Sequence, residues 1–383
     1  MFIGCGGGGS NSNANNGGNE IGYKIATGNL HSLALSNSGK VYGTGLTSVG
    51  QLGLGNANNR NTFIEITGLN DKNIKAISVG EYYSFALSGS GKVYAAGLNL
   101  NGELGLGDIS NSMTFVEVTD LSSKNITAIS VGFYQSFALS NSGKVYATGL
   151  NYDGQLGLDD HTNHNTFTEV TGLNDKNIIA ISTNVDHSLA LSGSGKVYAT
   201  GDNANGELGL GDYDNRNTFT EVTSLSDKNI IAISVGFYQS FALSGSGKVY
   251  ATGLNYGGQL GLGDHTNHNT FTEVIGLNDK NIIAISTGAD HSLALSSEGK
   301  VYAAGDNYQG QLGLGDNTDR NTFTEVTGLN DKNIIAISTN ADHSLALSGS
   351  GKVYATGDNG DGQLGLGNTA DTNVFIEAID LSN

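Results

Sequence analysis

The chain has 383 residues, with 36 acids against 18 bases, 58 glycines, one cysteine and neither proline nor tryptophan. One cysteine excludes a disulfide framework and a cysteine-rich zinc module, and no run of about 18 apolar residues exists to cross a membrane as a helix. A net charge of −18 argues against nucleic acid, because phosphate binding needs clustered lysine and arginine.

Residues 1–5 read Met-Phe-Ile-Gly-Cys, and residues 6–19 are glycine, serine, asparagine and one alanine. Such a stretch has nothing to bury and reads as a flexible tether. An apolar pair, a glycine and a cysteine ahead of a tether resemble a bacterial lipoprotein processing site, with Cys5 as the lipidated residue. That resemblance implies a place at a bacterial cell envelope or surface, with membrane contact through the anchor alone.

From residue 20 onward the chain repeats. The string Gly-Lys-Val-Tyr begins at Gly39, Gly91, Gly143, Gly195, Gly247, Gly299 and Gly351, always 52 residues apart. Leu-Gly-Leu recurs in register at Leu52, Leu104, Leu156, Leu208, Leu260, Leu312 and Leu364. The units are 20–71, 72–123, 124–175, 176–227, 228–279, 280–331 and 332–383. A period near 50 signals a propeller, solenoid or array. Residues 129–183 and 233–287 are almost identical, as after a recent duplication.

Each unit predicts four strands, as the fourth shows. Strand A is Ile178–Ser182, and strand B, Ser188–Ser192, alternates as a half-buried strand should. Gly193-Ser194-Gly195 turns the chain into strand C, Lys196–Thr200. A glycine-rich connection leads to strand D, Thr218–Val222. No helix-length window shows a 3.6-residue period. Seven units of four antiparallel strands read as an all-β, seven-bladed propeller, because stacking blades in a ring buries faces that one blade cannot cover. In this phase, blade one begins with its own strand A and blade seven ends with its own strand D, so no blade is shared at closure.

The run Gly-Lys-Val-Tyr-x-x-Gly-x-Asn-x-x-Gly-Gln-Leu-Gly-Leu-Gly is followed by Ile-Ser-x-Gly-x-x-His-Ser-Leu-Ala-Leu. Together they resemble the repeat of the regulator of chromosome condensation family over about residues 20–383. The resemblance implies a seven-bladed propeller. It also implies a guanine-nucleotide exchange role on a small GTPase, as in known members, against which the tether and the acidic balance argue. The family often has tryptophan where this chain has Ala147-Thr148, and proline before strand D where this chain has Asn-Thr-Phe. Both are packing variations.

In an up-and-down blade the A–B and C–D connections emerge at one end of the ring, and the B–C and D–A connections at the other. Thirteen of the 15 lysines fall at the second end, interleaved with acids in a pattern that hardly varies. The first end varies from unit to unit. Its A–B loops offer Glu81, Tyr82 and Tyr83, then Phe133, Tyr134 and Gln135, then Asp186 and His187. Later units offer Phe237, Tyr238 and Gln239, Asp290 and His291, and Asp342 and His343. The C–D loops change with them. Phe-Tyr-Gln accompanies Tyr152 and Tyr256, whereas Asp-His accompanies Asp202, Asp306 (with Tyr308 close by) and Asp358. Positions that change together suggest contact, apolar with apolar and histidine with carboxylate. Aromatic side chains on a rigid frame make large contacts at low entropic cost. These residues are the candidate partner site.

No catalytic constellation emerges. The clusters Asp160-His161-Thr162-Asn163-His164 and Asp264-His265-Thr266-Asn267-His268 lack a further firm ligand, so no metal is expected. Asp358-Asn359-Gly360-Asp361-Gly362 does not meet the calcium-loop spacing. No Gly-x-Gly string opens a helix after a strand, and no serine is set apart as a nucleophile. No cofactor is expected. The expectation is a monomeric, non-enzymatic module that holds a protein or a glycan on the A–B/C–D face. The alternatives are the exchange-factor role, a self-assembling surface protein, or an enzyme inhibitor like some bacterial propellers that resemble the family.

Overall fold

The computed structural model describes residues 22–382 together with the backbone of Ile3–Gly6. Seven sheets of four consecutive antiparallel strands each make one blade of a closed ring. In blade four, strands A to D are Ile178–Thr183, His187–Ser192, Val197–Gly201 and Arg216–Glu221. Blade one starts at its own Lys24–Thr27 and blade seven ends at its own Thr372–Asp380, so the ring closes without a shared blade. Short 3-10 turns such as Thr171–Leu173 link strand D to the next unit and bury a leucine. The segment Ile3–Gly6 adds a fifth strand, parallel to Ala232–Val235 of blade five. The side chain of Cys5 and most of the 1–19 tether lie outside the described residues.

Strand B is not half-buried. All six residues of His187–Ser192 are buried, because each blade is covered on both faces by its neighbours. The alternation is one of size. Leu189 and Leu191 pack towards Ile233, Ala242 and Tyr250 of blade five, while Ala190 accepts Phe137 and Leu139 of blade three. A large face meets a small face at every seam. The same scheme joins blade seven to blade one, through Leu345 and Leu347 against Ile25 and Ala34.

The two most repetitive motifs form one joint. In Gln155-Leu156-Gly157-Leu158, Gly157 adopts φ +67°, and a Cβ there would lie 2.5 Å from the ring of Phe219 in the next blade. Only glycine leaves room for that ring and accepts that backbone at no cost. Gly365 receives Phe63 of blade one in the same way, and Gly367 N–H donates to Asn61 O at 2.6 Å. Ring closure is therefore one more copy of the inter-blade joint.

Strands A line the central channel and are stitched by hydroxyls. Ser234 Oγ meets Thr287 Oγ1 at 2.8 Å, and Ser338 Oγ meets Thr27 Oγ1 across the closing seam at 2.8 Å. The two ends of the ring are thus built on one rigid, repeated frame.

Candidate functional site

The A–B and C–D connections share one end, as their linked variation predicts. Asp202 N–H donates to Asp186 O at 2.8 Å, and Leu150 N–H to Tyr134 O at 2.9 Å. Gly201 permits this approach, since a Cβ there would lie 2.2 Å from Asp186 O.

The last residue of each A–B loop faces inward. His31, Tyr83, Gln135, His187, Gln239, His291 and His343 are all fully buried. Each one bonds the next blade. The four histidines place Nε2 against Ser84, Ser240, Ser344 and Ser32 Oγ at 2.8–2.9 Å. Ser32 and Ser344 donate onward to Gln363 O and Gln311 O, so His343 and His291 are the Nε2–H donors in their pairs. Tyr83 OH donates to Gln135 O at 2.7 Å, and Gln239 Nε2 to Ala289 O at 2.9 Å. One position, in three chemistries, bolts each blade to its successor. Tyr83, Gln135, His187, Gln239, His291 and His343 are therefore packed inside the seams and are not displayed at the surface of this end. The expected pairing of histidine with carboxylate is also not made, because the ring is spent on the neighbouring serine. Burial holds each imidazole at a pKa of about 3, so these side chains are neutral.

The aromatic residues do come together. Phe133 of blade three and Phe237 of blade five meet edge to face across the channel mouth, with ring centroids 5.4 Å apart and planes at 83°. These blades are not neighbours, so the pair spans the sector of blade four. Tyr134 packs on Phe133 at 4.8 Å and Tyr238 beside Phe237 at 6.5 Å. All four rings are half-buried. Farther out, Tyr152, Tyr256 and Tyr308 stand at loop tips with 67–77% of their surface exposed.

Carboxylates surround this hub. On one flank lies Glu81, with Asn29 Nδ2 donating to its Oε1 at 3.4 Å. Burial raises Glu81 to about 7, against the pull of Tyr134, Asn29 and Tyr82. Asp186 rises to about 6 through burial and then repulsion from Asp153 and Asp202. Asp342 rises to about 6 through burial and then Asp358, Asp290 and Asp306. Asp290 is open to water, and the surrounding protein with Asp306 still pushes its carboxyl upward.

Sequence reasoning missed Glu103 and Glu207. Both occupy the buried slot before Leu-Gly-Leu that is glutamine in the other five blades. Gln311 Nε2 donates to Asp306 Oδ2 at 2.8 Å, and Gln363 serves Asp358 in the same way. In blade four, Glu207 faces Asp202 instead. Burial, and then Asp202, raises Glu207 to about 7. The departure from glutamine was the available signal.

Charge is divided unequally between the ends. The A–B and C–D connections, with the first residue of each strand D, hold 20 of the 36 acids and three of the 18 bases, a formal charge of −17. The remainder of the chain carries −1. Two of the three bases are paired within their loops, Arg216 with Asp212 and Arg320 with Asp316. His164 and His268 hold Asp160 and Asp264 in the same slot, so the two histidine clusters are loop staples. Among the described residues, no group of three or more His, Cys, Asp or Glu is arranged to hold a metal ion.

Residues 14–239 match the RCC1-like domain, and residues 246–295 and 298–347 match the regulator of chromosome condensation (RCC1) repeat. The ultraviolet-B receptor UVR8 of Arabidopsis thaliana is 32% identical over 93% of this chain and 81% of its own length. The human E3 ubiquitin-protein ligase HERC2 is 34% identical over 78% of this chain, which spans only 6% of that ligase. Among solved structures, human WBSCR16 superposes with a TM-score of 0.79 at 22% identity, covering 89% of this chain and 94% of that one. Prp20p of Saccharomyces cerevisiae superposes at 0.77 and 22% identity, covering 89% and 86%. These two likenesses concern the fold. The 52-residue period, the glycine–phenylalanine joint and the matched repeats agree: the chain belongs to the regulator of chromosome condensation repeat family.

Proposed function

We propose that the chain is a non-enzymatic binding module that holds a protein partner on the A–B/C–D end of the ring. The observation that carries this reading is segregation. Packing residues repeat all the way round, whereas variable side chains, exposed tyrosines and nearly all the net charge gather at one end. Loops positioned by a rigid scaffold are where binding usually resides. Prp20p, of the same fold, has binding properties towards Gsp1p and histones, which makes a protein the favoured class of partner. We also place the molecule at a cell envelope, on the strength of Cys5 ahead of its Gly/Asn/Ser tether, a role that requires Ile3–Gly6 to leave its pairing with Ala232–Val235. Loss of incorporated fatty acid in Cys5→Ser would be the matching observation.

Cross-linking to a native surface extract tests the binding reading. The parent is compared with a Tyr152→Ser/Tyr256→Ser/Tyr308→Ser variant at the loop tips and a Lys196→Ser/Lys300→Ser variant at the opposite end. Capture should be lost in the first and kept in the second. Equal capture by all three would reject the face.

A further inference from the structure

We propose that the channel mouth is a cation-anchoring site that takes an arginine-bearing segment of the partner, its guanidinium seated against the Phe133–Phe237 hub. The proposal rests on the binding reading above and names the chemistry of the partner.

The hub and its surroundings carry the argument together. Four half-buried rings meet over the mouth, joined by the edge-to-face contact of Phe133 with Phe237. A ring face attracts a cation held within about 6 Å of its centroid, most strongly where water is partly excluded. Acids flank the hub on both sides, with Glu81 next to Tyr134 and with Asp186 and Asp290 next to Tyr238. One of these carboxylates is incompletely satisfied. Glu81, only 6% exposed beside Tyr134, has its Oε2 without a hydrogen-bond partner. A buried carboxylate oxygen left so is costly, and an incoming donor with positive charge relieves it. Guanidinium suits the site better than ammonium. It is planar, stacks on aromatic faces and sheds water more easily.

The stretch ahead of blade one offers no basic side chain. Residues 1–21 contain no lysine or arginine. In a second copy the three arginines are held within their own loops, Arg216 by Asp212, Arg320 by Asp316 and Arg60 by Asn56 Oδ1, and most lysines of the opposite end are engaged. All seven B–C lysines lie 2.9–3.5 Å from a strand D glutamate, as in Lys40–Glu65 and Lys300–Glu325. Four of the D–A lysines lie over tyrosine rings at 5.3–5.9 Å. Charge complementarity with this strongly acidic end points to a basic segment of another polypeptide.

Fluorescence anisotropy with a fluorescein-labelled peptide of alternating arginine and glycine, in low salt, tests the proposal. The same peptide with citrulline in place of arginine is the uncharged control. The arginine peptide should bind saturably and the citrulline peptide should not. Phe133→Leu/Phe237→Leu should weaken binding about tenfold or more. If that variant melts early, the volume-conserving Asp186→Asn/Asp290→Asn, with the hub intact, should produce a loss of similar size. No saturable binding overturns the proposal. So does equal binding of the citrulline peptide, or arginine binding indifferent to both variants. Partner capture that depends on the three loop-tip tyrosines, without arginine-peptide binding, would leave the binding module standing and remove only its cationic anchor.

Discussion

The two ends of this ring are made by the same strands and differ in how their charges are settled. At the B–C/D–A end each hairpin lysine reaches a strand D glutamate 25 residues on, so the formal charge is cancelled in place, blade by blade. At the A–B/C–D end carboxylates face carboxylates, and burial with mutual repulsion raises their pKa values. A surface that only needs to be soluble is served by the first arrangement. The second lowers stability and is kept where charge has a use. Residues shared by both ends should therefore govern stability, and residues peculiar to one end should govern the pH profile and binding.

The largest effect should come from the joint that holds both ends. Gly365→Ala places a Cβ at φ +72° and 2.5 Å from the Phe63 ring at the closing seam. Positive φ for a residue with a side chain and a blocked ring together should cost about 2–4 kcal/mol. Gly68→Ala, with nothing within 4 Å, serves as the control and should be near neutral. Thermal unfolding followed by circular dichroism distinguishes the two. If Gly365→Ala melts with the parent, blade seven is not fastened to blade one as described.

A smaller effect should separate the ends by pH. Glu207 titrates near 4.5 when unfolded and near 7 when folded. The folded state therefore holds the extra proton between those values. The contribution of the protonated carboxyl is full below about 4.5 and is lost as pH rises through about 7. Glu207→Gln should restore the donor that Gln311 gives Asp306. It should raise stability by about 1–3 kcal/mol at pH 8 and change it little at pH 4. A gain of equal size at both pH values would show that the carboxylate pair is not its source.

The fold was legible because its signals are local and repeated seven times. Gly-Ser-Gly turns, alternating strands and a fixed period need no long-range information. The partition of loops between the two ends was legible for the same reason, since it follows from strand order alone. The roles within a loop were not. His187 and Asp186 are adjacent in sequence, yet one is bolted to Ser240 inside a seam and the other stands at the mouth. Gln135 and Gln239 replace histidine because each still reaches a backbone carbonyl of the next blade. That equivalence depends on a neighbour about 50 residues away. The meeting of Phe133 with Phe237 depends on ring curvature, which brings blades three and five to one axis. Only the two glutamates in a glutamine slot were visible in the sequence and passed over.

The smallest effect tests the quiet end. Lys196→Ala removes the partner of Glu221, held at 2.9 Å on an exposed hairpin. Exposed pairs gain little, because water screens them and both side chains lose rotamer freedom. The repeat of this pair in every blade reflects a common charge pattern more than a store of stability. Its loss should leave the melting temperature within error and arginine-peptide affinity unchanged. A change in that affinity comparable with the hub variant would mean that long-range charge, and not the chemistry of the mouth, sets binding. The contrast between the two ends would then lose its functional meaning.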